Sequence, residues 1–363
     1  MYRFMLETGH GDYDALYQWS VSNSPAFWES LCEFCDVRFD RDANTILSRP
    51  DNIMDAGWFA GSQLNYAAHL LRHDGDGAAI IFVGEDGTRL ELSRDALRAQ
   101  VAAIAAGLRA AGVSKGDRVG GFLPNCPEAV VAMLATTSLG AIWSSCSPDF
   151  GVNGVVDRFG QIEPKVLFAA NGYFYNGKTC DTRPTIEGVV SAVGSIERTV
   201  VIPFVSDLGA DMSVSNAIDW QNFAIADQPL SFTTVDFNQP LYIMYSSGTT
   251  GAPKCIVHGH GGTLLQHLKE HVLHTDISKA DRLFYFTTCG WMMWNWLVSG
   301  LASGATLVLF DGSPFFNDGR VLWQMAEQEA VTVFGTSAKY ISALEKAGVR
   351  PKDEFSLPHL RAV

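Results

Sequence analysis

Nine consecutive residues, Ser246-Ser247-Gly248-Thr249-Thr250-Gly251-Ala252-Pro253-Lys254, place four hydroxyls, two glycines, a proline and a lysine between two apolar runs. A segment of this composition can wrap an anion. Gly248 and Gly251 admit left-handed backbone and let N–H groups approach a ligand closely. Ser246, Ser247, Thr249 and Thr250 add hydroxyl donors, and Lys254 adds a full positive charge. The matching ligand is the polyphosphate of a nucleotide. Turn-forming composition also makes plain hairpin loops, but an ordinary turn needs one or two such residues, and here nearly every position contributes. The Walker loop is excluded. It requires G-x-x-x-x-G-K-[ST] running into a helix, whereas here the glycines are closer together and Cys255 follows the lysine.

Two other clusters compete for attention. His267, His271 and His274 stand at i, i+4 and i+7, a spacing that serves a transition metal on one helix face, or simply a solvent-facing helix. No HExxH accompanies them, so no metal site is assigned. Cys32 and Cys35 form a CxxC without a second pair for zinc and without the preceding strand of a thioredoxin-like motif. The seven cysteines are scattered through apolar segments, which fits reduced thiols.

Composition sets the class. With 363 residues, 47% hydrophobic and 18% charged, the chain buries a large core. A net charge of −13 excludes a nucleic-acid surface, which takes clustered Lys and Arg, so any polyanion must be held locally. No apolar run reaches membrane-span length, and MYRFMLETGHGDYD lacks the basic and apolar regions of a signal peptide. The expectation is a cytoplasmic protein with small-molecule partners, no membrane and no obligate protein partner.

The elements that must position the loop follow from periodicity. Residues 1–77 carry aromatic-rich helical stretches with irregular connections and read as a cap; residues 78–363 read as an α/β core. AAIIFVG is a short strand, and SRDALRAQVAAIAAGLRAAGV is a helix starting at Ser93 and stopped by Gly112. DRVGGFLPN, PEAVVAMLATTSLG and AIWSSCSP then make a strand, a helix with proline in its first turn, and a strand. Further rounds in VDRFGQIEPKVLFAANG and RTVVIPFV predict an α/β fold of mainly parallel sheets with flanking helices. The polar segment 204–239 reads as a surface excursion. Leu241–Tyr245 and Cys255–His258 are apolar, so the nine-residue segment connects two strands.

Tyr245 to Lys254 matches [YF]-[ST]-S-G-[ST]-T-G-x-P-K at every position, and so resembles the phosphate loop of the adenylate-forming superfamily, which includes acyl-CoA synthetases, luciferases and peptide-synthetase adenylation domains. The stretch DRLFYFTTCGWMMWNWLVSGLASGATLVLFDGSP is similar to the region that follows this loop in short-chain acyl-CoA synthetases. WSVSNSPAFW, SSCSPDFG and VTVFGTSAKYISALEKAG resemble the acetoacetyl-CoA synthetase branch, and the likeness runs through nearly the whole chain. Acetyl-CoA synthetases carry approximately GWVTGH where this chain has Gly290-Trp291-Met292-Met293-Trp294-Asn295, a departure that reshapes the acyl pocket.

The resemblance implies the large N-terminal domain of the adenylate-forming fold and an acid–thiol ligase. An acid, acetoacetate on this likeness, would attack the α-phosphorus of ATP to give an acyl-adenylate and pyrophosphate, after which coenzyme A would displace AMP; Mg2+ would arrive with ATP. By the same resemblance Ser246 to Gly251 and Lys254 would bind the phosphates, with Thr249 and Lys254 as catalytic residues. Trp291, Met292, Met293 and Asn295 would line the acyl pocket, and Ser147, Gly151 and Arg158 would approach coenzyme A. An apolar aromatic and methionine run is also what plain core looks like. The family continues past the equivalent of LPHLRAV with adenine and ribose motifs and a mobile C-terminal domain bearing a catalytic lysine. The expectation is therefore an incomplete core. Another short acid such as acetate, or a non-catalytic nucleotide-binding remnant, stays open on this reading.

Overall fold

A computed structural model of the chain describes residues 1–209, 212–246 and 251–363. The core begins with a hairpin of β1 (Ala78–Gly84) and β2 (Arg89–Ser93), followed by helix α1 (Arg94–Ala110). Ser93 caps α1: its hydroxyl accepts the Ala96 N–H at 3.1 Å. At the other end Gly112 is left-handed (φ +77°), and its N–H and that of Val113 bond back to Arg109 and Leu108 carbonyls, a Schellman closure. The cap and the stop expected from the sequence are both present.

β3 (Arg118–Phe122), α2 (Pro127–Ser138) and β4 (Ile142–Cys146) form the first βαβ unit, and α3 (Val152–Ile162) returns the chain to β5 (Val166–Ala170). β6 (Arg198–Ile202) and β7 (Ala217–Asp219) extend one side; β8 (Pro240–Tyr245) and β9 (Cys255–Gly259) extend the other. The seven-stranded order is β7-β6-β5-β3-β4-β8-β9, parallel except for the β8/β9 pair. Helix α4 (His260–Leu268), β10 (Arg282–Tyr285), α5 (Met292–Ser299), β11 (Thr306–Asp311) and β12 (Val333–Gly335) complete a second sheet, ordered β12-β10-β11-β1-β2 and parallel except for β1/β2. The α/β architecture with mainly parallel sheets is thus observed.

α2 is apolar all round, and Ala129 to Ala135 have no exposed surface, so this helix is core on every side. β3 passes close over Trp143 because it carries glycine: a Cβ on Gly121 would stand 2.6 Å from the indole ring. At the chain's last residues Ala362 bridges Val333 in parallel, so the final segment lies along the outer edge of β12. No helix among the described residues is long and apolar enough to cross a membrane.

The segment 204–239 departs from its expected role. It supplies edge strand β7, a short helix Trp220–Phe223, and a Val235–Asp236 strand paired with Gln63–Leu64. Phe223 is buried on α1, where only glycine leaves room: a Cβ on Gly107 would sit 2.3 Å from the Phe223 carbonyl oxygen. Apolar anchors widely spaced in a polar stretch tie it to the core. The aromatic helices Tyr13–Ser22 and Ser24–Phe34 precede a strand pair, Thr45–Ser48 with Gly57–Ala60, that periodicity did not suggest.

Candidate active site

β8 and β4 run parallel, so their carboxyl ends lie on one edge of the large sheet, beside β3 and close to where strand order reverses. Crevices at such edges are where open α/β sheets bind ligands. β9 returns antiparallel to β8, with Met244 opposite Ile256 and Tyr245 opposite Cys255. The ladder closes at Ser246 and Lys254. Ser246 N–H donates to the Lys254 carbonyl at 3.0 Å, and Lys254 N–H donates to the Ser246 hydroxyl at 3.3 Å. The two expected strands and the pair that closes them are therefore present, Lys254 is exposed, and a side chain on Gly251 would meet open space. Ser247, Gly248, Thr249 and Thr250 lie outside the described residues.

Alternation along a strand puts Tyr242, Met244 and Ser246 on one face, and their partners His258, Ile256 and Lys254 share it. The other face meets α3. Gln161 of that helix donates to the Pro253 carbonyl at 2.8 Å and accepts from the Cys255 thiol at 3.6 Å, which steadies the loop's returning limb. The Arg158 guanidinium lies over the Phe150 ring at 4.5 Å and over Tyr245 at 5.6 Å. Gly151, exposed, is the N-cap of α3, and Ser147 is buried at the end of β4. Arg158 is thus set against the end of β8, while Ser147 stands next to the bend that precedes α5.

That bend is fixed from below. The buried Ser145 hydroxyl donates to the Cys289 carbonyl at 2.7 Å, and a Cβ on Gly290 would lie 3.4 Å from the Ser147 nitrogen. Trp294 donates its indole N–H to Asn125 Oδ1 at 2.9 Å, and Asn125 Nδ2 in turn donates to the Phe310 carbonyl at 3.3 Å. Asp311 receives the Asn125 N–H at 3.2 Å; burial, reinforced by Glu85 and Asp86, pushes its carboxyl up to about 7. The four acyl-pocket candidates divide. Trp291 and Met292 are 69% and 48% exposed at the start of α5, Met293 is half-buried, and Asn295 is buried with its Nδ2 3.4 Å from Met244 Sδ.

Two of the three histidines are not solvent-facing, while His274 is exposed. His267 and His271 are buried, and His271 Nε2 meets the Trp296 carbonyl at 2.9 Å and the Ser299 hydroxyl at 2.8 Å. Lys269–His274 forms a π-helical turn, which rotates His271 under α5 instead of along one α-helical stripe. Burial pushes His267 down to about 3 and His271 to about 4, so both rings are neutral. Among the described residues no group of three or more His, Cys, Asp or Glu side chains could hold a metal. Burial also pushes the Cys32 thiol up to about 12 and Cys35 to about 11, which makes both poor nucleophiles.

Sequence reasoning missed Asn125, Ser145 and Gln161, and gave Tyr245 no role beyond opening the matched motif. Asn125 carried a signal: it stands between a strand end and a proline-led helix, the place where βαβ units present side chains to a crevice. The others are ordinary residues whose roles come from packing.

The family profile described as AMP-binding enzyme matches residues 68–363, and that described as Acetyl-coenzyme A synthetase N-terminus matches residues 13–70. The chain is 51% identical over 353 residues to the acetoacetyl-coenzyme A synthetase of Rhizobium meliloti (strain 1021), covering 96% of this chain and 54% of that protein. It is 46% identical over 359 residues to the acetoacetyl-CoA synthetase of Rattus norvegicus, covering 96% and 53%. Among solved structures, acetoacetyl-CoA synthetase from Streptomyces lividans superposes with a TM-score of 0.93 at 43% identity, covering 99% of this chain and 56% of that one. The chain spans about half the length of the curated relatives it matches. With the AMP-binding enzyme profile spanning most of its residues, the chain belongs to that family.

Proposed function

We propose that this chain carries the polyphosphate-binding and acid-binding half of an AMP-forming acetoacetate–CoA ligase. The observation that carries the reading is that β8 and β9, which bracket the donor-rich sequence 246–254, end at a sheet's carboxyl edge with α5 packed on the same strand face. The likeness to acetoacetyl-CoA synthetases over nearly the whole chain supports the acid. Residues 1–77 serve as a cap and residues 78–363 as the adenylation core.

In this reading the carboxylate of acetoacetate attacks the α-phosphorus of Mg-ATP, the bond to the β,γ-diphosphate breaks, and pyrophosphate leaves. Charge spreads over the phosphate oxygens in the transition state, and fixed donors stabilise it there. Lys254 and Thr249 supply that charge and donor, with Ser246, Ser247, Gly248, Thr250 and Gly251 around the leaving diphosphate. The thiol of coenzyme A then attacks the acyl carbon and AMP departs, with Arg158, Ser147 and Gly151 on the approach. Mg2+ enters bound to ATP as part of the substrate. The setting is the cytoplasm.

The test is acid-dependent pyrophosphate release from ATP by this chain, with acetoacetate and acetate in parallel. Release that prefers acetoacetate supports the reading. Preference for acetate moves the activity to another short acid, and ATP binding without release leaves a nucleotide-binding protein that turns nothing over.

A further inference from the structure

Residues 38–72, helix α1 and Thr234 meet around a cavity of about 460 Å³ whose polar wall holds Arg38, Asp40, His69, Arg72 and Arg98. Three guanidiniums line it in a chain of net charge −13. Arg98, on α1, donates to the Leu71 carbonyl through Nη1, and its Nε and Nη2 meet no acceptor among the described residues. The Arg72 side chain is 19% exposed; its Nη1 donates to the Cys35 and Asp36 carbonyls at 3.2 and 2.9 Å, and the Asp36 carboxylate stands 4.0 Å away. Arg38 shares that carboxylate, at 3.0 Å through Nη2, and its Nε and Nη1 have no acceptor among the described residues. His69 fixes the backbone there. Its Nε2 accepts the Arg38 N–H at 3.0 Å and its Nδ1 meets the Asn65 carbonyl at 3.0 Å, which makes the buried ring neutral. Asp40 accepts the Thr234 hydroxyl at 2.8 Å.

We infer that this cavity is a second anion site, which takes a phosphate dianion, free or as the head of a small phosphate monoester, between Arg38, Arg72 and Arg98. The inference uses no residue of the ligase reading and stands apart from it. Helix capping accounts for part of the arrangement, because Cys35 and Leu71 end the helices Ser24–Phe34 and Tyr66–Leu70. Capping uses one or two of the five N–H groups on a guanidinium and does not call for three guanidiniums on one cavity. Their proximity is unfavourable by itself. Burial lowers the Arg72 pKa and Arg38 lowers it further, against the pull of Asp36. Three guanidiniums face Asp36 and Asp40, so one positive charge is left over, and an anion relieves the repulsion. The planar N–H fork of arginine matches phosphate oxygens two at a time. A phosphate head offers three terminal oxygens to three guanidiniums, whereas a carboxylate offers two. The cavity exceeds one phosphate group in size, and Leu71 and Phe232 give it an apolar wall for the carbon part of an ester.

The test is calorimetric titration of this chain with inorganic phosphate and with glycerol 3-phosphate at constant ionic strength, without nucleotide. Wild type is compared with Arg98→Gln, Arg38→Gln, Asp40→Asn and Lys254→Ala. Saturable binding is expected in wild type, and tighter binding of glycerol 3-phosphate than of phosphate identifies the ester as the source. Arg98→Gln should weaken binding about tenfold or more, and Arg38→Gln, whose side chain is 74% exposed and whose loss spares the fold, roughly threefold. Asp40→Asn keeps an acceptor for Thr234 and removes the lining carboxylate, so it should tighten binding roughly two- to fivefold. A purely structural role for these side chains predicts no such gain. Lys254→Ala should bind both probes as wild type does. No saturable binding of either probe by wild type, affinity unchanged in both arginine variants, weaker binding in Asp40→Asn, or binding lost in Lys254→Ala overturns the inference. Failure of acid-dependent pyrophosphate release, with these affinities as expected, overturns the ligase reading and leaves the anion site standing.

Discussion

The Ser145 hydroxyl donates to the Cys289 carbonyl at 2.7 Å, and both residues are buried. This contact joins the end of β4 to the bend that launches α5, so the large sheet sets the height of that helix's start. Ser145→Ala leaves the carbonyl buried without that donor, and urea denaturation should show a loss of about 1–3 kcal/mol. No loss would mean the bend is held by other contacts.

Gly107 lies against the Phe223 backbone with no room for a methyl group. Gly107→Ala improves helix propensity by roughly 1 kcal/mol, yet the clash with a backbone oxygen is expected to dominate. The net effect should be destabilisation by about 1–3 kcal/mol, read as a lower thermal midpoint. A raised midpoint would show that the 204–239 segment shifts freely on α1.

His267 and His271 are held neutral by burial, far below the ordinary histidine value. A depressed folded-state value means the unfolded chain takes up protons first, so stability is lost as pH falls below about 6.5, by up to about 1.4 kcal/mol per pH unit for each ring. Replacing both by glutamine should flatten the fall in unfolding free energy between pH 7 and pH 5. His271→Gln keeps a donor for the Trp296 carbonyl and should cost less than His271→Ala. An unchanged pH slope in the double variant would contradict the buried neutral rings.

Asp311 acts in the opposite direction. Its carboxyl is raised to about 7 by burial, so the folded state holds a proton the unfolded state has released, and stability falls as pH rises from the ordinary carboxyl range to about 7. Asp311→Asn keeps an acceptor for the Asn125 N–H and removes the buried charge. Its advantage over wild type should grow by about 2–3 kcal/mol between pH 5 and pH 8. A constant difference across that range would show the carboxylate is solvated.

Local chemistry was legible in the sequence and long-range packing was not. Ser93 and Gly112 mark helix ends through contacts within a few residues, so they could be read directly. The β8 and β9 strands were visible because their apolar runs bracket a loop of turn formers. The burial of His271 was hidden: its partners Trp296 and Ser299 lie 25 and 28 residues away, and a π-helical turn breaks the 3.6 period that suggested one shared face. Phe223 was hidden likewise, because one apolar anchor in a polar stretch has no periodicity. At the site, residue types located the loop and α5, while the clamp of Asn125 on Trp294 emerges only from two distant segments meeting.

The central claim is that the segment from Ser246 to Lys254 holds a nucleotide through its phosphates. Calorimetric titration of this chain with Mg-ATP and with AMP, for wild type and Lys254→Ala, tests it most directly. A charge-assisted contact contributes about 1.5–3 kcal/mol, so the variant should lose tenfold or more in ATP affinity and about twofold or less for AMP. Equal losses for both nucleotides, an unchanged ATP affinity, or no ATP binding by the wild-type chain would contradict the account.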